Sequence, residues 1–206
     1  MEDVLAVYQR PFDSTIPLVC MDEKPIQLLE DVYPSVPATP SQLARHDYEY
    51  KRNGTASIFM FTEPLSGWRK VNIRERRTKI DWAIEIKELL EIDYPDAERV
   101  ILVCDNLNTH TLGALYTAFK PEKAFQLLKR LEIHYTPKHG SWLNIAEIEL
   151  SALTRQCLDR RIKNPELLKS ETKIWEQKRN ENQKSVDWQF TTSDARIKLK
   201  RLYPQI

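Results

Sequence analysis

Glycine is scarce in this chain of 206 residues, with four in all. Neither a GxGxxG nor a Walker-type loop is present, so a dinucleotide-binding or P-loop domain is not expected. Cysteine is nearly as rare: Cys20, Cys104 and Cys157 are widely spaced. An odd, scattered set argues against a disulfide framework and against a zinc knuckle. Two of the three sit in apolar runs, where a buried thiol in a reducing compartment is expected. No apolar run approaches the length of a membrane span, and the opening MEDVLAVYQRPFD lacks the long apolar stretch of a secretory signal. A soluble intracellular protein is expected. Charge of one sign is not in excess either, since 31 Lys and Arg against 30 Asp and Glu leave a net +1. That balance says little about partners, because a neutral protein can still carry a local basic groove.

The length fits one large domain or a domain with a helical appendage. IPLVCMD reads as a buried strand ending near Asp22. The proline-rich VYPSVPATPSQ cannot sustain a helix and reads as a surface loop. Asn53-Gly54 is a turn signal, and SIFMFTEP and WRKVNIRE have the patterning of strands, giving an antiparallel group of three with the first. Thr78 is placed to cap a helix carrying Ile80, Ala83, Ile84, Ile86, Leu89 and Leu90. RVILVCDN is a continuous apolar run closed by Asp105 and Asn106, the pattern of a central parallel strand. TLGALYTAF and PEKAFQLLKRL read as helices, with Pro121 in the first turn of the second. LEIHYTP is a further short strand. Helices then run from Trp142 to about Leu158, from Pro165 to about Asn182 and from near Ser193 to Leu202. This order predicts an α/β fold with a mixed sheet flanked by helices.

Three acids fall at element ends: Asp22, Asp105 and Glu147. Any one could be strand-end surface charge. Together they can line one edge of one sheet, where open α/β folds place ligands. Clustered carboxylates repel one another unless a cation is present, and oxygen donors without a Cys or His cluster suit Mg²⁺ or Mn²⁺ rather than Zn²⁺. Two such ions can clamp an in-line phosphoryl displacement. Asp22 is then expected to bridge both, with Asp105 and Glu147 each completing one site. Glu149 competes with Glu147: two residues apart on a helix they point about 200° apart, and the helical wheel leaves each on one edge of the apolar arc.

MDEK, CDNLNTH and HYTPKHGSWLNIAEIELSALTRQCL, in that order, resemble the catalytic domain of a DDE transposase, in the insertion-sequence branch of the mariner-like superfamily. The resemblance runs from about Pro17 to Tyr203. It implies an RNase H-like fold, shared with retroviral integrases, and a mixed five-stranded sheet. It puts the catalytic, metal-holding acids on Asp22, Asp105 and Glu147, where LNIAE stands in place of the commoner LNPIE. Asn106 and His110 follow as supporting residues from the DNxxxH pattern, and Asn144 from the LN of the last motif. Two departures concern local geometry: a longer separation between Asp105 and Glu147 than many relatives have, and a rewritten turn at His139, Gly140, Ser141 and Trp142.

The implied activity is metal-dependent DNA cleavage and strand transfer at insertion-sequence ends, with two Mg²⁺ or Mn²⁺ ions per site. The implied partners are terminal inverted repeats and target DNA, with a homodimer on DNA and no membrane. The implied setting is the prokaryotic cytoplasm, at the nucleoid. Candidate DNA contacts are Lys24, Arg76, Arg77, His139, Trp142, Arg160 and Arg161, although charge runs are more often solvated faces. The expected division is a lead-in at 1–16, the catalytic core at 17–160 and a helical extension at 161–206. Relatives carry helix-turn-helix domains before the core, so a separately encoded half is a candidate partner. The rival readings are an RNase H-like nuclease without strand transfer, and a catalytically silent remnant that binds DNA or a partner.

Overall fold

The computed structural model describes residues 1–33, 36–45, 48–138 and 140–203. Among these residues, five strands form one sheet: β1 (Leu18–Asp31), β2 (Tyr50–Glu63), β3 (Trp68–Arg74), β4 (Val100–Cys104) and β5 (Leu131–Tyr135), in the order β3-β2-β1-β4-β5. The first three pair antiparallel; β4 and β5 add in parallel beside β1. This is the mixed sheet that the sequence predicts.

Among the described residues, seven α-helices flank it: α1 (Glu2–Tyr8), α2 (Lys79–Glu88), α3 (Leu112–Ala118), α4 (Pro121–Lys129), α5 (Ala146–Gln156), α6 (Pro165–Glu181) and α7 (Thr192–Lys198). Strand alternation sorts the core into two layers. Cys20, Ile58, Met60 and Val103 face α1, α5 and α6. Val19, Met21, Phe59, Phe61, Leu102 and Cys104 face α2, α3 and α4. Thr78 closes a capping box with Asp81 at the start of α2, and Pro121 opens α4. The free edge of β3 is covered by α6: Glu176 accepts from Val71 N–H at 2.8 Å, and Asn180 accepts from Arg69 N–H at 2.8 Å.

Three expectations are corrected. β1 does not end at Asp22 but continues to Asp31, because β2 pairs with it along that whole length. Pro25 is tolerated there because β4 pairs only with Leu18–Cys20, leaving β1 a partner on one side beyond that point. Asn53-Gly54 makes no turn. Between the pairs Gln27↔Thr55 and Leu29↔Arg52, those two residues oppose Leu28 alone. This is a β-bulge, with Gly54 at a φ of 102° that a side chain would resist. Trp142 does not open the helix that carries Glu147. It belongs to a 3-10 turn, Ser141–Leu143, and α5 starts at Ala146, so Glu147 stands in its first turn. In the proline-rich segment, Pro34 lies outside the described residues; the described remainder is exposed, with bridges Val36↔Arg45 and Thr39↔Gln42.

Candidate active site

β4 stops at Cys104, so Asp105 leaves the sheet beside the point where β1, now unpaired on that side, carries Asp22. Glu147 reaches the same region from α5. Burial first, then the negative charges of Asp105, Glu147 and Glu23, push the Asp22 carboxyl up to about 7, against one hydrogen bond from Glu23 N–H at 2.7 Å. The three acids thus share one electrostatic neighbourhood although they come from three elements.

The segments that carry the acids are tied together. Asn144, buried just before α5, donates to Met21 O at 2.8 Å and accepts from Ala146 N–H at 3.2 Å, tying the helix start to the residue before Asp22. Tyr8 of α1 donates to Leu143 O at 2.6 Å, bracing the same turn. His110, fully buried, places Nδ1 2.6 Å from Asp105 Oδ1 and Nε2 3.4 Å from Glu23 Oε2. Its N–H is better aligned with the Asp105 carbonyl, at 3.3 Å, and Oδ1 is left without an aligned hydrogen bond. Burial opposes charge on the ring, but hydrogen bonds to Asp105, Cys104 and Glu23 outweigh it and raise the imidazole to about 12. Trp82 stacks on the ring at 5.8 Å.

Glu149 has a different role. Its buried carboxylate pairs with Arg69 at 3.0 Å and Arg179 at 2.8 Å. Burial pushes it up, but the two guanidiniums prevail and hold it below the usual carboxylate range. It locks α5 to β3 and α6. Arg69, itself buried, also donates to the carbonyls of Gly67 and Lys184. Nothing in the sequence marks this arginine as a core residue, because Glu149 and Lys184 lie far along the chain.

The other candidates divide. Lys24 donates to Thr154 Oγ1 at 2.8 Å and, with Glu147, Leu150, Ser151 and Arg155, lines a shallow pocket of about 340 Å³. Arg155 also lines a larger cleft between α5 and α6, about 800 Å³, with Arg160, Lys178 and Arg179. Arg77 approaches Glu23 at 3.6 Å, while Arg76 and Asn106 are exposed. Trp142 is 44% exposed and meets Phe190 edge-on at 5.8 Å. Arg160 pairs with Glu171. Arg161 pairs with Asp31 at the far end of β1, nine residues or about 30 Å from Asp22. His139 lies outside the described residues.

Among the described residues, no three His, Cys, Asp or Glu side chains stand close enough together to enclose a metal ion. The fit to a divalent cation therefore rests on chemistry: an all-carboxylate set, the raised Asp22 and the unsatisfied Asp105 Oδ1 suit a hard cation.

A family model described as DDE superfamily endonuclease matches residues 17–169. Among solved structures, the Mos1 mariner paired end complex with Mn is 20% identical, with a TM-score of 0.56 over 85% of this chain and 52% of that one. The corresponding complex with Mg is 19% identical, with a TM-score of 0.55 over 88% and 54%. The Mos1 Strand Transfer Complex is 16% identical, with a TM-score of 0.57 over 84% and 50%. The chain spans about half the length of these solved structures, and the likeness is one of fold, the RNase H-like sheet with its helices. No curated protein matches the chain.

Proposed function

Because the chain belongs to the DDE superfamily of endonucleases, we propose that it is the catalytic core of a transposase that cuts and joins DNA at insertion-sequence ends. The observation that carries this reading is the placement of Asp22 on β1 beside Asp105 at the end of β4, with the start of the Glu147 helix tied to Met21 through Asn144. These three would hold two Mg²⁺ or Mn²⁺ ions. When bound, such cations activate the attacking hydroxyl and stabilise the leaving oxygen of an in-line displacement. Water would attack the phosphodiester at the element's end and release a 3′-hydroxyl, which would then attack a target phosphodiester. No protein nucleophile is required.

The chain's own residues supply position and charge. Asn144 fixes the start of α5 against β1, keeping Glu147 opposite Asp22. His110 grips Asp105 from behind. Lys24 and Arg155, at the pocket beside Glu147, suit the phosphates that flank the scissile bond. Arg76, Arg77, Arg160 and Trp142 would extend the DNA path; Arg161, distant and engaged, would contribute at its far end. The paired-end and strand-transfer complexes of the solved neighbours support DNA as the partner. Residues 17–160 would form the core and 161–206 its helical extension. A homodimer on DNA, and a helix-turn-helix module in the same polypeptide or encoded separately, complete the proposal. Among the described residues, no helix is long and apolar enough to cross a membrane; work at a prokaryotic nucleoid is part of the same reading.

The test is nicking and joining of DNA carrying candidate terminal repeats, with Mn²⁺ or Mg²⁺ and with Asp105→Ala alongside. Metal-dependent joining that disappears in the variant is expected. Nicking without joining would favour a nuclease, and no activity with no metal bound at millimolar levels would leave a silent binding domain.

A further inference from the structure

Asp22 and Glu23 are neighbours on β1 and therefore point to opposite faces of the sheet. Cys20, two residues before Asp22, packs on the α5 side; Met21, two before Glu23, packs on the α2 side. Asp22 accordingly shares its surroundings with Glu147. Glu23 lies instead behind the site, with its side chain 2% exposed. A carboxylate so buried is costly without partners, and it has two. One is His110 Nε2 at 3.4 Å; the other is Arg77 Nη1 at 3.6 Å.

His110 is held from every side. Asp105 takes Nδ1, Glu23 faces Nε2, Trp82 covers one face of the ring, and Tyr135 donates to the His110 carbonyl at 2.7 Å. Asp105 needs this support more than the other two acids. Asp22 lies within a strand and Glu147 within a helix, whereas Asp105 is the first residue after β4, outside regular secondary structure. One ring nitrogen stands 2.6 Å from its carboxylate and 3.3 Å from its carbonyl, and that ring faces Glu23 with its other nitrogen. Losing a group that orients a ligand from behind typically costs about 10–100-fold in metal affinity or activity.

We propose that Glu23 is a positioning residue for Asp105, acting through His110 across the plane of the sheet. The proposal rests on the reading that Asp105 holds a divalent cation. A buried Glu23–His110 pair that only stabilised the fold would also be destabilising to remove, so stability alone does not test the idea.

The measurement is Mn²⁺ titration of the whole chain by electron paramagnetic resonance, for wild type, Glu23→Ala and Glu23→Gln. Glu23→Ala should bind Mn²⁺ roughly tenfold more weakly. Glu23→Gln keeps an acceptor for Nε2–H and should lose less. In DNA nicking, kcat should fall while KM for DNA holds. In the metal-free protein, the His110 ring proton on Nδ1 should shift in the NMR spectrum of both variants, as its alignment on Asp105 relaxes. Mn²⁺ affinity within twofold of wild type, with an unmoved His110 resonance, would overturn the proposal and leave a structural pair. Should Glu23→Ala fail to fold, the near-isosteric Glu23→Gln carries the same readings. Wild type that binds no Mn²⁺ would count against the proposed function; the metal-free His110 resonance then decides the role of Glu23 by itself.

Discussion

Glu147 and Glu149 stand two residues apart on α5, in different settings. Glu147 is half-buried at a pocket it shares with Lys24 and Arg155, while buried Glu149 sits between two guanidiniums. Glu149→Gln removes one partner of a buried network and should destabilise the chain by about 3–5 kcal/mol in urea denaturation. The pH dependence follows from the lowered Glu149 carboxyl. Its folded value lies below the ordinary ~4.3. The stabilisation is therefore full above that value and is lost as pH falls through the folded one, so acid unfolding of wild type should begin below about pH 4. Asp22 has the opposite sign. Its folded value of about 7 exceeds the ordinary ~3.9, so its cost to the metal-free chain is absent below about pH 4, grows between the two values and is complete above 7. Asp22→Asn should raise the metal-free Tm at pH 8 by roughly 3–6 °C, about 1–2 kcal/mol after discounting for partial exposure, and leave it unchanged at pH 4. The choice between the two glutamates was not legible in the helical wheel. It depends on Arg69 and Arg179, which are 80 and 30 residues away in the chain.

At the scale of elements, local signals were read well where a local cause sets the structure. The Thr78 cap, the prolines opening α4 and α6, and the apolar run of β4 each act within a few residues. The misread elements have distant causes. The length of β1 is set by β2, and the Asn53-Gly54 pair bulges because β1 runs past it. The delayed start of α5 depends on Asn144 reaching Met21, 123 residues earlier. A second glycine marks a similar long-range constraint. Gly67, between β2 and β3, has φ 76°, and a Cβ there would come within 2.6 Å of the Gln183 backbone. Gly67→Ala combines a left-handed conformation with a backbone clash. It should cost about 2 kcal/mol or more in thermal unfolding, loosening the loop after α6 from β3.

At the scale of the molecule, the two ends of the described chain meet. Arg196 of α7 pairs with Glu2 of α1 at 2.7 Å, and α1 in turn braces the turn before Glu147 through Tyr8. The segment before β1 is thus built into the support of the site. The motif order alone nominates Asp22, Asp105 and Glu147, while the contacts behind them, Glu23 on His110 and Tyr8 on Leu143, are visible only in the fold. The central claim is that these three acids form one metal-dependent site for phosphodiester attack. Its most direct measurement is the Mn²⁺-dependent nicking rate of duplex DNA by wild type and by Glu147→Gln at matched folded concentration. The account predicts nicking by wild type and a loss on the order of a thousandfold in the variant, about 4 kcal/mol of transition-state stabilisation. Equal rates for the two proteins would contradict it.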